Sequence, residues 1–387
     1  MKRKKREMKP RRVAIVTSIH PDFDARIWKH ARILAANGVG VDLICPWQVK
    51  DREEIDGVTL HPFPMATSRA KRLFQVPLRV LPRLRAVLAQ VDIVHFHDID
   101  LLPWMAFVSL VKPVVYDVHE NYAHEMLVRE WVPVVLRRPL YHAVHWGQFL
   151  LSMVVRNIVL VAPSQKPDFS NPRFRQTYIY NYASVALLDG VADNHDSRED
   201  AVVFIGSQHI NNGSLLLLDI AEKMAEKVPG VKLLATDRFS STAFRNHVTS
   251  EIKKRGLQNT LELIPNVKPH ELMAVLNRAT IGISPNLRVP QQIMGIHTKI
   301  FEYMAAALPV VVSDLPHQVG VVEATGAGIL AQPEDINSFV SAIASLVADR
   351  GRAVQLGRNG QQGFKDSYCY ESQAQALLAF YDQILAA

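Results

Sequence analysis

The chain contains 387 residues, of which 48% are hydrophobic, 21% charged and 8% aromatic, and it carries a net charge of +7. This composition is typical of packed globular domains and excludes an intrinsically disordered chain, while the length favours two domains over one. Its two cysteines, Cys45 and Cys369, exclude a disulfide scaffold and a cysteine-based zinc cluster, and they indicate a reducing compartment.

Short apolar runs alternate with helical stretches through the first half of the chain. Strands are predicted over residues 13–17, 41–45, 92–96, 113–118 and 158–162. Helices are predicted between them, over residues 24–37 and 101–110. Because the strand residues are largely β-branched and alternate with helices, we expect a parallel sheet joined by right-handed crossovers.

The second half repeats this rhythm. Strands are predicted over residues 201–205, 231–235, 261–264, 281–284 and 309–313, and helices over 215–227, 299–307 and 336–350. The polar, acidic stretch 189–200 has no apolar face and is interpreted as a linker. The sequence therefore predicts an α/β fold with two Rossmann-like, doubly wound domains that face a central cleft, where such folds bind ligands.

The predicted domain boundaries follow from this pattern. The first domain spans residues 1–188, including a basic tail over 1–12, and the second spans residues 201–370. A C-terminal helix over about 371–387 can pack back onto the first domain.

Positive charge is concentrated in two segments. Residues 1–12 contain eight Lys or Arg and one Glu, and residues 57–91 contain no Asp or Glu. Basic and aliphatic side chains are interleaved over residues 69–85. Together with the basic tail 1–12, this segment indicates contact with an anionic membrane surface; the alternative for 69–85 is a solvated basic face on a core helix. Nucleic acid is not expected as a partner, because aliphatic rather than aromatic side chains accompany the arginines.

The hydropathy pattern bears on localisation. No stretch is long and apolar enough to predict a membrane-spanning helix, and the basic N-terminus is not followed by the apolar run of a signal peptide. We therefore expect a cytoplasmic protein that can lie peripherally on the inner face of the cell membrane.

Lys299 and Glu302 open a predicted helix that leads into a buried strand. The first turn of a helix attracts phosphate, Lys299 can neutralise a diphosphate, and Glu302 can accept hydrogen bonds from a ribose. The simpler interpretation from these residues alone is a surface capping pair on an ordinary α/β helix.

Several motifs together resemble the family-4 glycosyltransferases. They are KIFEYMAAALPVVVSD over 299–314, the stretch 263–285 that ends in Ser-Pro, IHPDFDARI over 19–27, DIVHFHD over 92–98 and VYDVHE over 115–120. The resemblance extends from residue 12 to about residue 385. It implies the GT-B architecture, with the acceptor on the first domain and a nucleotide-sugar on the second as co-substrate. It also implies no metal and no resident cofactor.

The resemblance also implies roles for individual residues. The residues expected near the reacting centre are His119, Asp117 and Glu120. The residues expected at the donor are Lys299, Glu302, Thr298, His297, Ser207, Gln208, His209, Asn266 and Val267. The residues expected at the acceptor are His20, Asp22, Arg26 and Asp98, whereas His95 is expected to pack in the core.

Two departures from the family pattern leave alternatives open. Residues 206–213 contain no Lys or Arg where many members bind the diphosphate, so its charge falls on Lys299, backbone N–H groups and Arg288. Met294 occupies the place of the first Glu of the paired-Glu motif. The leading hypothesis is a retaining hexosyltransferase that uses a nucleotide-sugar and a glycan or lipid-linked acceptor in surface polysaccharide or glycolipid synthesis. The alternatives are a non-catalytic glycan-binding or scaffold subunit and a sugar-nucleotide epimerase of the same fold.

Overall fold

The computed structural model describes residues 11–20, 25–46, 54–66, 74–119, 122–128, 132–191, 198–267 and 271–387. Contacts divide the chain into two compact units. Unit 1 comprises Met1–Asn181 together with Gln373–Ala387, and unit 2 comprises Tyr182–Ser372.

Unit 1 is built on one mainly parallel sheet. Its strands are β1 (Arg12–Val16), β2 (Gly40–Pro46), β3 (Glu54–Ile55), β4 (Val58–Phe63), β5 (Ile93–Phe96), β6 (Val114–Val118), β7 (Asn157–Leu160) and β8 (Arg175–Tyr178). Their order is β3-β4-β2-β1-β5-β6-β7-β8, and every neighbouring pair is parallel except β3–β4. Strands β5, β6 and β7 are buried along their whole length, as expected of a parallel sheet with both faces covered.

Helices cover this sheet. They are α1 (Ala25–Ala36), α2 (Leu81–Val87), α3 (Leu102–Val108), α4 (Tyr122–Val128) and α5 (Val134–Val155), with shorter helical turns at Val76–Val80, Ile99–Leu101 and Pro163–Phe169. The core between them and the sheet is apolar, with Phe63, Phe96 and Tyr116 among its largest side chains. The ring of Phe96 stacks on that of Tyr116 at 4.7 Å between centroids.

Unit 2 contains a six-stranded, wholly parallel sheet. Its strands are β9 (Ala201–Phe204), β10 (Lys232–Thr236), β11 (Leu261–Ile264), β12 (Ile281–Ser284), β13 (Val310–Ser313) and β14 (Gly328–Ala331). Their order is β11-β10-β9-β12-β13-β14.

Eight helices belong to the described part of unit 2. They are α6 (Leu216–Lys227), α7 (Thr242–Lys254), α8 (Leu272–Leu276), α9 (Pro290–Met294), α10 (Lys299–Ala305), α11 (Pro316–Thr325), α12 (Ile336–Ala348) and α13 (Arg350–Gly363). Shorter helical turns occur at Val185–Gly190, Ile210–Asn212, Phe364–Tyr368 and Glu371–Gln373. The last helix, α14 (Ala374–Leu385), returns to unit 1 and contacts α1 and β8.

Helix α10 is held against the sheet by Tyr303. The Tyr303 hydroxyl donates to the carbonyl of Ile283 at 2.9 Å and accepts from the backbone N–H of Ile205 at 3.0 Å. A Cβ added at Gly282 would lie 2.4 Å from the Tyr303 ring, so only glycine lets the ring lie against β12. The start of α10 is thereby placed near the ends of β9 and β12.

In each sheet, the strand order reverses at one strand. In unit 1, β1 lies between β2 and β5, and in unit 2, β9 lies between β10 and β12. Doubly wound sheets bind ligands beyond the carboxyl ends of the strands at such a reversal. The prediction of two doubly wound α/β units is confirmed, and the topology directs attention to the residues that follow β1, β5, β9 and β12.

The division into units differs from the predicted boundary at residue 188. Ser184 Oγ donates to Glu371 Oε1 at 2.6 Å, and the backbone N–H of Val185 donates to Glu371 Oε2 at 2.7 Å. The ring of Tyr182 lies 4.5 Å from that of Phe301. These contacts attach the segment from Tyr182 onward to unit 2. The sequence placed the boundary later because the composition of a loop does not reveal which body the loop packs on.

The predicted linker 189–200 is only partly a solvated connection. Arg198 is buried, and its guanidinium donates to the carbonyl of Ala306 at 2.9 Å, so the end of the linker belongs to the packed body of unit 2. Residues 192–197 lie outside the described residues. Across the described ranges, no helix combines the length and the apolar character that crossing a bilayer requires.

Candidate functional site

A cavity of about 450 Å³, open to solvent, lies in unit 2 beyond the ends of β9 and β12. Of the predicted donor residues, those that line it are Ser207, His297, Thr298, Lys299 and Glu302. The other lining residues are Gly206, Asn212, Arg238, Asn286, Gln291, Gln292, Gly295 and Ile296. The cavity therefore lies beyond the carboxyl ends of the strands at the reversal of strand order, where doubly wound sheets bind ligands. Its wall is mainly polar.

Lys299 is the most unusual side chain of this cavity. Its Nζ is buried, lies 3.9 Å from the centroid of the Phe204 ring and has no hydrogen-bond partner among the described residues. Burial lowers the pKa of Lys299 to about 7, although the nearby Glu302 acts in the opposite direction. A buried ammonium without a hydrogen-bond acceptor is costly, and an anion in the cavity would relieve that cost.

Glu302 lies one turn after Lys299, in the first turn of α10, and also lines the cavity. The cavity thus presents a cation and a carboxylate side by side. This pair can serve the two ends of a nucleoside diphosphate, because phosphate oxygens need cations and ribose hydroxyls need acceptors.

His297 lies just before α10 and is buried. Its Nε2 donates to the carbonyl of Gln292 at 2.9 Å, which leaves Nδ1 as an acceptor. Burial lowers the pKa of His297 to about 4, so the ring is neutral near pH 7. His297 can accept a hydrogen bond from a ligand but adds no charge to the cavity.

A chain of side-chain amides supports the cavity and was not predicted from the sequence. Asn286 Nδ2 donates to Gln292 Oε1 at 2.6 Å, and Gln292 Nε2 donates to Asn212 Oδ1 at 3.0 Å. Asn212 Nδ2 in turn donates to the carbonyl of Ser207 at 2.9 Å. This network joins the loop after β9 to the loop after β12, and it fixes the backbone that a ligand would contact.

Arg238 was also missed by the sequence reasoning. Arg238 follows β10, in a segment that forms backbone hydrogen bonds with the loop after β9. The backbone N–H of Gln208 donates to the Arg238 carbonyl at 2.7 Å, and that of Ser240 donates to the Gln208 carbonyl at 3.1 Å. The pairing brings an exposed arginine to the cavity beside the loop 206–213, which contains no basic residue.

The remaining predicted donor residues do not line the cavity. Gln208 is buried, and its Nε2 donates to the carbonyl of Thr236 at 3.1 Å. His209 Nδ1 accepts from the backbone N–H of Asn211 at 3.2 Å and so caps a short helical turn. Asn266 and Val267 follow β11 outside the cavity wall.

Arg288 was expected to share the diphosphate charge, but it does not line this cavity. Its guanidinium donates to the carbonyl of Asp314 at 3.0 Å. Among the described residues that line the cavity, the Lys and Arg side chains are therefore those of Lys299 and Arg238.

In unit 1, the predicted residues Arg26 and Asp117 form a buried ion pair. Arg26 donates to both carboxylate oxygens of Asp117 at 2.9 Å and to the carbonyl of Ile179 at 3.1 Å. Burial raises the pKa of Asp117, but Arg26 and the surrounding histidines outweigh it and hold that pKa well below its usual range. Asp117 is thus ionised near pH 7, and it lies at the end of β6.

Histidines surround this carboxylate. His119, the residue expected near the reacting centre, has its Nε2 at 2.6 Å from Nδ1 of His97 and at 4.0 Å from Asp117 Oδ1. Burial lowers the pKa of His119 to about 4 and that of His97 well below its usual value. Both rings are neutral near pH 7, so one nitrogen of the pair donates and the other accepts.

The predicted acceptor residues Asp98 and His20 also lie together. Asp98 is buried, accepts from Thr17 Oγ1 and from the backbone N–H of Ser18 at 2.6 Å each, and lies 3.1 Å from His20 Nε2. The ring of His20 stacks on that of His119 at 5.1 Å between centroids. Asp98 therefore orders the loop after β1 that carries His20. Glu120 and Asp22, two further predicted residues, lie outside the described residues.

The same cluster contains a group of potential metal ligands. Donor atoms of His30, His97 and Asp117 lie within 4.8 Å of one another, which is compatible with a metal ion. Arg26 already donates to both oxygens of Asp117, so the protein supplies positive charge at this carboxylate.

His95, expected in the core, is buried there, and its Nδ1 lies 2.6 Å from the hydroxyl of Tyr381 on α14.

Two family models match the sequence. One, described as Glycosyltransferase Family 4, matches residues 24–166, and the other, described as Glycosyl transferases group 1, matches residues 199–349. No curated protein sequence matches the chain.

Solved structures with similar folds match the chain over nearly its whole length. Sucrose-phosphate synthase from Thermosynechococcus elongatus matches with a TM-score of 0.71 and 15% identity, over 98% of this chain and 100% of the other. HepE from Anabaena, in complex with UDP and glucose, matches with a TM-score of 0.67 and 12% identity, over 97% and 100%. An E. coli trehalose-6-phosphate protein bound with UDP-2-fluoro glucose matches with a TM-score of 0.68 and 12% identity, over 97% and 99%.

Proposed function

Because the chain belongs to the GT-B glycosyltransferases of group 1 and family 4, we propose that it transfers a hexosyl group from a nucleotide-sugar to a glycan or lipid-linked acceptor. The pathway we propose is surface polysaccharide or glycolipid synthesis at the cytoplasmic face of the membrane. The donor lies in the unit 2 cavity, and the acceptor is handled by unit 1.

One observation carries the proposal: the buried Nζ of Lys299 has no hydrogen-bond acceptor among the described residues, yet Lys299 lines a cavity of about 450 Å³ that is open to solvent. A diphosphate would supply that acceptor, and Glu302, one turn further on, would accept from the ribose hydroxyls. Two structures of similar fold contain UDP or a UDP-sugar, which supports a nucleoside diphosphate as the donor group.

We propose that Arg238 supplies the second cation. The diphosphate carries two negative charges that need compensation, and residues 206–213 contain no Lys or Arg. Arg238 reaches the cavity from the neighbouring strand, next to this loop. The charges of Lys299 and Arg238 make a resident metal unnecessary in this proposal, and activity is expected to persist in EDTA.

For the transfer itself we propose retention of configuration, with the leaving phosphate taking the acceptor proton. The bond between the anomeric carbon and the phosphate oxygen breaks, and the acceptor oxygen forms the new bond on the same face of the sugar. His119 is neutral, so it can hydrogen-bond a sugar hydroxyl and orient the ring. In this proposal, His119 is held in place by Asp117 and His97. The acceptor is contacted by His20 and Asp98.

Calorimetric titration with UDP-, GDP- and ADP-sugars tests the donor site. We expect one of them to bind and Lys299→Ala or Glu302→Ala to weaken its binding at least about tenfold, since a charge-assisted hydrogen bond contributes about 1.5–3 kcal/mol. The matched control is Lys253→Ala, which changes an exposed lysine on α7 outside the cavity.

The same material separates the alternatives. A non-catalytic scaffold would bind none of the donors, and an epimerase would convert the donor without an acceptor. If binding occurs but both cavity variants bind as the wild type does, the donor lies elsewhere and the proposal is wrong.

A further inference from the structure

An exposed apolar surface of unit 1 is not explained by sugar transfer. Ten of the seventeen exposed large apolar side chains described fall within residues 104–111 and 134–154. Helices α3 and α5, which carry most of them, contact each other. We call the following set the α3–α5 face: Phe107, Leu110, Val111, Trp146, Leu150 and Val154, whose exposed fractions are 71%, 73%, 70%, 56%, 62% and 44%.

The spacing of these residues makes the face continuous. Trp146, Leu150 and Val154 follow one another at four-residue intervals, so they form one stripe along α5. At the end of this stripe, a groove is lined by Leu110, Val111 and Val154 together. Contiguous exposed apolar surfaces on soluble proteins mark sites of contact with a partner or a membrane.

The charge around the face favours an anionic partner. Residues 101–116 and 131–157 contain no Asp or Glu. Arg138 is exposed on α5, and Lys112, Arg156 and Arg175 line the groove. In a symmetric dimer formed through this face, two surfaces of the same positive charge would be brought together, so a second copy is disfavoured.

An anionic lipid surface satisfies both properties, because apolar side chains and Trp enter the interfacial region while Lys and Arg contact headgroups. We propose that the α3–α5 face docks unit 1 onto an anionic lipid bilayer. The inference rests on the proposed function in one respect: docking would bring the enzyme to a lipid-linked acceptor.

The membrane contact predicted at residues 69–85 is a weaker candidate. Val76, Val80 and Leu84 are buried in the core of unit 1, which leaves Phe74 and Leu78 as the exposed large apolar side chains of the described part. Arg83 donates to the carbonyl of Pro62 at 2.7 Å. Residues 67–73, and residues 1–10 of the predicted basic tail, lie outside the described residues.

Flotation with phosphatidylcholine vesicles, with and without phosphatidylglycerol, tests the proposal. We expect the full chain to bind only the anionic vesicles and to dissociate in high salt. The triple variant Phe107→Ser/Trp146→Ser/Leu150→Ser is expected to lose at least about tenfold in partitioning, and Arg138→Ala about fivefold, since each basic residue near the surface contributes about 1 kcal/mol. Leu110→Ser/Val111→Ser is a second variant at the other end of the face.

The matched control is Phe74→Ser/Leu78→Ser, which changes two equally exposed apolar residues of the segment 69–85. It is expected to bind as the wild type does. Thermal unfolding and the donor titration establish that each variant is folded, and they report on the donor site separately from the membrane.

Four results would overturn the inference. They are absence of vesicle binding, equal binding to neutral and anionic vesicles, wild-type binding by both variants of the face, and a wild-type dimer that the triple variant converts to a monomer. The last result would assign the face to a second copy of the chain.

Discussion

Nδ1 of His97 lies 2.6 Å from Nε2 of His119. Because both rings are neutral near pH 7, this hydrogen bond couples the tautomers of the two rings and fixes the orientation of the His119 ring. His97 in turn lies 3.5 Å from the buried carboxylate of Asp117. The residue expected to orient the sugar is therefore itself positioned by the ends of two neighbouring strands, β5 and β6.

Replacing His97 should disturb catalysis more than donor binding. We expect His97→Ala to lower kcat about 10- to 100-fold and to leave the KM for the donor unchanged, because a displaced orienting group acts mainly on the transition state. His97→Asn, which can still form a hydrogen bond, should recover part of the loss. A parallel fall in kcat and in donor affinity would contradict a positioning role.

Donor affinity should depend on pH through Lys299. Burial lowers the pKa of Lys299 to about 7 in the unliganded protein, and a bound diphosphate favours the charged form and raises that pKa. Affinity is therefore constant below about pH 7 and weakens by up to about tenfold per pH unit above it. Calorimetry from about pH 6 to about pH 9 measures this, and Lys299→Arg, which stays charged throughout, should abolish the dependence.

Arg238 should contribute to donor affinity despite its exposed position. Arg238→Ala is expected to weaken donor binding about tenfold, and Arg238→Lys less, because the lysine keeps the charge but loses the planar fork. Neighbouring Asp237 does not neutralise it within the described structure, since Asp237 pairs with Arg245 at 2.6 Å. Equal donor affinity of Arg238→Ala and the control Lys253→Ala would show that Arg238 does not contribute to donor binding.

Gly213 should be essential to the loop that borders the cavity. Its φ is +82°, and an added Cβ would lie 2.0 Å from the carbonyl oxygen of Pro285. Gly230 is a matched control, with a φ of +90° and open space around the added Cβ. Gly230→Ala should cost only the backbone strain of about 1–2 kcal/mol, whereas Gly213→Ala should cost more and also weaken donor binding. Urea unfolding and calorimetry measure the two effects.

Unit 1 should lose stability on acidification. Burial lowers the pKa of His119 to about 4, and that of His30 and His97 well below the usual value. The unfolded chain binds these protons near pH 6.5, so each histidine removes up to about 1.4 kcal/mol of stability per pH unit below that value. The depressed pKa of Asp117 acts in the same direction at still lower pH.

Urea unfolding of the wild type and of His119→Asn measures this effect. The variant should show a shallower loss of stability between about pH 6.5 and about pH 4.5, by the equivalent of one proton. An unchanged slope would mean that His119 is protonated to the same extent in both states.

Local sequence determined much of the fold. Apolar runs such as residues 92–96 and 309–313, each followed or preceded by a helical pattern, correspond to strands β5 and β13. The periodicity of side chains reports burial directly, and parallel strands buried on both faces are therefore recognisable one at a time. The motif over 299–314 likewise led to Lys299 and Glu302, because both lie within one turn of one helix.

Contacts between distant segments decided the rest. Arg238 reaches the cavity only because the loops after β9 and β10 pair with each other, and His97 meets His119 only because β5 and β6 are adjacent. Nor did the sequence assign residues 182–188 to unit 2, or show that the apolar side of α5 carrying Trp146 faces solvent. Periodicity specifies that a helix has an apolar face, but only the packing of the whole chain determines whether that face is covered.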